Sequence, residues 1–349
     1  MPSDPIPGLF GLKKTNRNFS LRDTWGKNQF NSSFPAALCC YMYHKQINAN
    51  YICLRGGEKI IEEISIKDIF SIEPDNENIF FAFESQFTPF NKYVIGSLPR
   101  TDLVIQNLES NNCLSALEIK LTALPDHVTS DGDENLYGSE IVVRPDTIVY
   151  LACSIAASLG GEIRRIPNIF VNEWEDPSQV LYMVPQIIDA IQSISITLES
   201  SQVPFLLQPI WKTKGKSSEF DENCLDVFAW SNAGFCYFVS QIARNSQYIT
   251  ISRQVRTVIW LYKMLDDIKH NSQFDHKKII DSLSFNTKND KAFASSGNIT
   301  NKFMQCERLR SPIIKKDEIK NIIIGGGQDL LSPERRFDAI LFNSPGLFK

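Results

Sequence analysis

Three consecutive residues constrain this chain more than any others. Glu118-Ile119-Lys120 is a charged–apolar–charged triplet set inside the apolar run Ala116, Leu117 and Leu121. The run 113–122 (CLSALEIKLT) reads as a β-strand. Side chains alternate along a strand, so Glu118 and Lys120 share one face while Ile119 points into the core. Charges half-buried in this way are costly unless they pair or bind metal. Just upstream, 102–106 (DLVIQ) reads as a second strand, and the polar segment 107–112 as the turn between them. If the two strands pair, Asp102 converges on the face of Glu118 and Lys120.

Two carboxylates and one ammonium have a purpose in phosphodiester hydrolysis, which needs an activated water and neutralisation of an anionic transition state. Carboxylate oxygens hold Mg²⁺, a hard ion that keeps several of its waters. The ion polarises the phosphate and makes a water more acidic. Lysine contacts the phosphate and orients the attacking water or helps deprotonate it. Asp102 and Glu118 are thus the candidate metal ligands, and Asp102, Glu118 and Lys120 the candidate catalytic set. A bare D…ExK pattern also fits a solvated strand face. Glu84, Asp126 and Glu140 are further acids that read either as an added ligand or as surface charge.

The rest of the chain supplies elements to surround these strands. The stretch 8–31 mixes Lys13, Lys14, Arg17, Arg22 and Lys27 with Phe10, Phe19, Trp25 and Phe30, and reads as an ordered loop or arm. A helix is predicted over 33–43, with Ser33 as N-cap and Pro35 in its first turn. Short strands are predicted over 50–55 and 59–66, and a strand or helix end over 78–83. The stretch 144–160 predicts a helix: Pro145 and Asp146 suit its start and Gly160-Gly161 its stop. Further predictions are strands at 166–171, 205–211 and 225–230, and helices at 177–196, 233–244 and 253–270. Two adjacent strands, then a helix, then a strand fit an α/β or α+β mixed sheet covered by helices.

Composition removes several alternatives. A chain of 349 residues with 43% hydrophobic content can bury a large core. Its length suits about two domains or one large domain with insertions, and no boundary is visible. Residues 212–220 and 286–301 are polar loops and candidate insertions. The eight cysteines contain no CxxC pair, and the four histidines no HExxH. Reduced core cysteines are therefore expected, and no structural zinc. Gly325-Gly326-Gly327 leads into Gln328-Asp329 rather than a GK[ST] ending, which excludes a phosphate loop. The first residues lack a basic stretch followed by an apolar run. The longest apolar run, 147–159, is too short to span a bilayer. A soluble, cytoplasmic protein with no membrane partner is the expectation. The net charge of −4 gives no global attraction to nucleic acid, yet leaves room for a local basic cleft.

Three longer blocks carry a resemblance. Segments 115–126 (SALEIKLTALPD), 140–148 (EIVVRPDTI) and 19–35 (FSLRDTWGKNQFNSSFP) resemble the HindVP family of type II restriction endonucleases, in the PD-(D/E)XK nuclease superfamily. The resemblance covers at least 8–160. It implies a restriction-endonuclease-like core with family-specific insertions: one domain over 1–349, an N-terminal arm and helix over 1–45 and a catalytic core over 78–175. It also implies Mg²⁺-dependent, site-specific cleavage of double-stranded DNA in a restriction–modification system. Described members cut the degenerate palindrome GRCGYC, so the same target is implied here. One departure is plain: Thr101 precedes Asp102, where the "PD" element has proline.

A palindromic target implies a two-fold homodimer, with each subunit reading a half-site, and a cognate DNA methyltransferase encoded nearby. Arg17, Arg22, Lys27, Asn28, Gln29 and Asn31 have the chemistry to touch phosphates and bases. Their segment reads equally well as one packed across the sheet through Phe19, Trp25 and Phe30. Arg144 stands at a helix start beside the site, placed for a phosphate or for Glu140. The competing reading is a catalytically inactive DNA-binding module of the same fold. Removal of the Lys120 side chain is expected to slow cleavage with little loss of fold.

Overall fold

The computed structural model describes residues 12, 14–17, 27–120, 144–210, 213–214, 217–218, 223–244, 250–285 and 314–315. A helix, α1 (Lys27–His44), leads into a hairpin of β1 (Ala49–Arg55) and β2 (Glu58–Ile64). The hairpin turns on Gly56 and Gly57, both at positive φ (58° and 78°), which a two-residue turn between right-twisted strands demands. Next come α2 (Ile66–Phe70), β3 (Ile79–Ser85), β4 (Thr101–Asn107), β5 (Cys113–Ile119), α3 (Pro145–Leu159) and α4 (Pro177–Thr197). They are followed by β6 (Pro204–Ile210), the two-residue strands β7 (Thr213–Lys214) and β8 (Ser217–Ser218), and β9 (Asn223–Ser231). The helices α5 (Asn232–Arg244), α6 (Arg253–Asn271) and α7 (His276–Ser282) and the short β10 (Ile314–Lys315) complete the described elements.

One mixed sheet runs β2-β1-β9-β6-β5-β4-β3, with β10 on β9. Its β5–β6 and β1–β9 pairs are parallel and the other pairs antiparallel. Alternation divides each strand between two cores. On one side Tyr51, Cys53, Leu103, Ile105, Leu117 and Ala229 pack with α1 and α2. On the other Ile52, Leu54, Val104, Leu206, Phe228 and Trp230 pack with α3 to α6. A sheet buried on both faces explains why its strands read as near-continuous apolar runs. The expected mixed sheet between helix layers is what the chain forms. The described cysteines Cys39, Cys40, Cys53, Cys113, Cys153 and Cys236 are all free.

Several sequence expectations fail locally. The stretch 166–171 forms no strand. Pro167 lacks an N–H for a ladder, and side chains take the role of a neighbouring strand: the Ile169 N–H donates to the Tyr262 hydroxyl (2.9 Å), which donates to the Pro167 carbonyl (2.7 Å). Helix α1 begins at Lys27 rather than Ser33. Lys27, Asn28 and Gln29 are therefore helical rather than part of an arm, and Pro35 lies in the helix interior. Ser33 does not cap; its hydroxyl accepts from Arg17. The short helices α2 and α7, capped by Ser65 and Asp275, were too brief to show as periodicity. The loop expected over 212–220 contains the β7–β8 pair, whereas 286–301 lies outside the described residues.

Two helical stretches, Pro145–Arg165 and Pro177–Ser200, are by length and composition able to span a bilayer, contrary to the expectation from the run 147–159. That run counted only part of a helix that a 3₁₀ segment, Gly160–Arg165, prolongs. Both stretches pack into the core on the α3–α6 side of the sheet, through residues such as Ile148, Leu151, Ile155, Ile187 and Ile191. They are core helices of this fold.

Candidate active site

The antiparallel register of β4 and β5 sets Leu103 opposite Leu117, which carries Asp102 alongside Glu118. Ile119 faces the α1 side, in the same core as Leu117. Glu118 and Lys120, on the alternate face, point toward α3. The parallel partner β6 fixes the end of β5: Glu118 and Ile119 sit opposite Leu206 and Leu207, and the Lys120 N–H donates to the Leu207 carbonyl (3.0 Å). The site therefore lies at the C-terminal end of β5, where the N-terminus of α3 approaches the sheet. Tyr150 on α3 ties that helix to the entry of β4, donating to the Pro99 carbonyl at 2.9 Å.

The Lys120 ammonium bonds Glu118 directly and stands 3.9 Å from Asp102 Oδ2. One cationic group is thus shared by two carboxylates from neighbouring strands, on one side of the sheet. Glu118 is buried, at 5% exposure, and accepts a hydroxyl on each oxygen. Thr147 Oγ1 donates to Oε1 at 2.9 Å, and Thr101 Oγ1 to Oε2 at 3.1 Å. Asp102 Oδ2 accepts the Ile119 N–H at 2.8 Å. The Asp102 carboxyl is raised to about 6, first by burial and then by the negative charge of Glu118; Lys120, the Ile119 N–H and Arg144 pull the other way.

Asp146 adds a third negative charge. It lies in the first turn of α3, exposed to solvent on one side, and partial desolvation followed by repulsion from Glu118 raises its carboxyl. His276, the first residue of α7, lies within electrostatic reach of Asp146. It is buried, with its Nδ1 unpartnered, and burial lowers its imidazole. Arg144 is exposed at the N-cap position of α3, where its charge is felt by both Asp102 and Asp146.

Oxygen donors of this kind suit a hard divalent cation. Three carboxylates against Lys120 and Arg144 leave an excess of negative charge, and an ammonium already sits between the two closest. Among the described residues no group of three or more His, Cys, Asp or Glu side chains is spaced to hold a metal ion. A cation here would therefore take Asp102 and Glu118 and complete its shell from water, backbone or phosphate, as Mg²⁺ does readily.

The other expected site residues separate. Glu84 pairs with Arg17 (3.5 Å) instead of joining the carboxylates. Arg17 donates to Ser32 and Ser33, stacks on Phe83 at 4.4 Å, and is lowered to about 10 by burial; it is a structural residue of the α1 side. Arg22, Asp126 and Glu140 lie outside the described residues, and the side chains of Lys27, Asn28 and Gln29 are likewise outside them. Sequence reasoning missed Thr147 and Thr101 as partners of Glu118, and took Asp146 only as a helix-start residue. The one available signal was the threonine standing where "PD" has proline.

Comparison with known proteins adds what geometry alone cannot. The family model described as HindVP restriction endonuclease matches residues 25–348. A relative named "Probable type II restriction enzyme HindVP", from Haemophilus influenzae, is 52% identical over 98% of this chain and 95% of its own length. A second, "Type II restriction enzyme HgiDI" from Herpetosiphon aurantiacus, is 43% identical over 98% of this chain and 97% of its own. No solved structure matches. A mixed sheet between helix layers, with relatives of this kind along its whole length, defines a type II restriction enzyme, a hydrolase that cuts DNA. The chain belongs to the HindVP restriction endonuclease family.

Proposed function

We infer that this enzyme hydrolyses DNA phosphodiesters with Mg²⁺ at a short palindrome, GRCGYC, using Asp102, Glu118 and Lys120. The observation that carries the reading is the convergence of the two carboxylates on the Lys120 ammonium at the end of β5. Asp102 and Glu118 would hold the cation. When bound, it supplies positive charge at the scissile phosphate and favours ionisation of the attacking water. Lys120, freed from Glu118, contacts a phosphate oxygen and fixes the line of attack. Arg144, exposed at the helix start, neutralises a neighbouring phosphate. All of these residues fall within 78–175, which we take as the catalytic core of a single domain over 1–349. Lys27, Asn28 and Gln29, at the start of α1, are the proposed base and phosphate contacts, with Arg22 just before them.

A two-fold symmetric target calls for a homodimer, one active site per strand. A cytoplasmic enzyme of this kind requires a methyltransferase that protects the same sequence in the host. Incubation of plasmid carrying GRCGYC sites with protein and Mg²⁺ tests the whole reading. Discrete fragments that vanish with EDTA and with Lys120→Ala are expected. Retarded but intact plasmid under every metal condition would replace the nuclease with a binding module.

A further inference from the structure

We propose that Thr147 and Thr101 form a two-hydroxyl clamp that positions the Glu118 carboxylate for the cleavage reaction. The proposal rests on the nuclease reading of Asp102, Glu118 and Lys120. It starts from a cost: a carboxylate as buried as Glu118 needs donors on both oxygens. The donors come from two different elements. Thr147, in the first turn of α3 and fully buried, donates to Oε1 at 2.9 Å. Thr101, at the start of β4 and 2% exposed, lies 3.1 Å from Oε2. Together they fix the carboxylate plane relative to both the sheet and the helix, without help from Lys120.

The two oxygens are not equivalent. Oε1 accepts from Thr147 and from Lys120. Among the described residues Oε2 accepts only from Thr101, and the single Thr101 proton has a second acceptor, the Leu117 carbonyl, also at 3.1 Å. Thr101 can therefore turn to Leu117 and free Oε2 while Thr147 still holds Oε1. The geometry makes Oε2 the oxygen offered to a cation. It also gives Thr101 a role that proline at the same position could not fill, because proline carries no donor. Thr147 and Thr101 act through Glu118 and touch neither DNA nor the reacting atoms; they are positioning residues.

The test compares Thr147→Val and Thr101→Val, which keep the branched shape and lose the hydroxyl, with Thr147→Ser and Thr101→Ser, which keep it. Two quantities are read: the Mg²⁺ concentration giving half-maximal single-turnover cleavage of plasmid DNA, and the Mn²⁺ affinity of the DNA-free protein by electron paramagnetic resonance titration. Loss of a partner that orients a metal ligand costs about 10- to 100-fold in metal affinity or activity. We expect at least about a tenfold shift in both readouts for Thr147→Val, recovered by Thr147→Ser, with DNA retention in gels unchanged. Wild-type values for both valine variants would overturn the clamp, whatever happens to their melting temperatures. Should Thr147→Val fail to fold, Thr147→Ala removes the same hydroxyl, and wild-type values for both readouts in it would equally overturn the clamp. If the wild-type protein cuts no DNA the nuclease reading falls, and the Mn²⁺ titration still decides the clamp.

Discussion

Replacing Asp102 by asparagine should make the metal-free protein more stable. The Asp102 carboxyl is held near 6 in the folded chain against an ordinary 3.8, chiefly by burial and by Glu118. Each pKa unit is worth about 1.4 kcal/mol, so the ionised carboxylate costs the fold at most about 3 kcal/mol at neutral pH. The side chain is 33% exposed, and solvent screening lowers the expected cost to about 1–2 kcal/mol. Asparagine keeps the acceptor for the Ile119 N–H and removes the charge. Between pH 3.8 and about 6 the folded state binds more protons at this position than the unfolded state, so the contribution of Asp102 to stability falls as pH rises through that window. Urea unfolding in EDTA should therefore find Asp102→Asn more stable than wild type at about pH 7.5, with the gap narrowing through about pH 4.5 and closing below about pH 3.8. Addition of Mg²⁺ should reverse the order, because mass action stabilises only the protein that binds it. A variant no more stable than wild type at neutral pH, or a gap that ignores pH, would refute the electrostatic account.

Other outcomes follow from the same geometry. Glu118→Ala should abolish plasmid cleavage while gel retention of DNA persists; normal cutting would remove Glu118 from the site. Lys120→Ala should slow single-turnover cleavage by at least about 100-fold. Contrary to expectation from sequence, it should also destabilise the metal-free fold by about 1–3 kcal/mol in urea, because the ammonium is the counter-ion of a buried carboxylate rather than a solvated strand-face charge. Gly234→Ala places a Cβ 2.7 Å from the Ile52 carbonyl oxygen, where α5 crosses β1. Overpacking there should cost about 1–3 kcal/mol in urea while leaving cleavage per folded molecule unchanged.

What the sequence disclosed, and what it hid, follows the range of the interactions. Strands β4 and β5 were legible because apolar alternation is local, and so was α3, whose start carries Pro145 and Asp146. Periodicity alone places Glu118 and Lys120 on one face. The register that brings Asp102 level with Glu118 is a pairing between strands, and only the fold displays it. Thr147 was invisible as a partner of Glu118 because the contact joins residues 29 positions apart across a sheet–helix interface. The stretch 166–171 misled for the opposite reason: Ile166 and Ile169 are buried as a strand's inward residues would be, but Phe170 is exposed, and a tyrosine and a lysine from α6 satisfy its backbone. Arg17 misled as well, since a cation beside aromatics suits DNA on paper, whereas in the fold Ser32, Ser33 and Glu84 consume it.

The proposed site gives a reason why a divalent cation would be needed before the substrate could be accepted. Asp102 and Glu118 meet at Lys120 near the start of α3, where Asp146 feels the charge of Glu118 and Arg144 is a second cation. The exposed N-terminus of α3 adds only a partial positive charge. A phosphodiester entering this space brings a further negative charge into a region already short of positive ones, and partial burial weakens solvent screening. Lys120 cannot answer both demands, because moving toward phosphate leaves the buried Glu118 with hydroxyl donors alone. On the proposed reading Asp102 and Glu118 would hold a dication, whose positive charge at the carboxylates would leave Lys120 available to the phosphate. On this logic a surplus carboxylate at the end of β5 would be the single origin of both effects, a less stable metal-free fold and a demand for metal in cleavage.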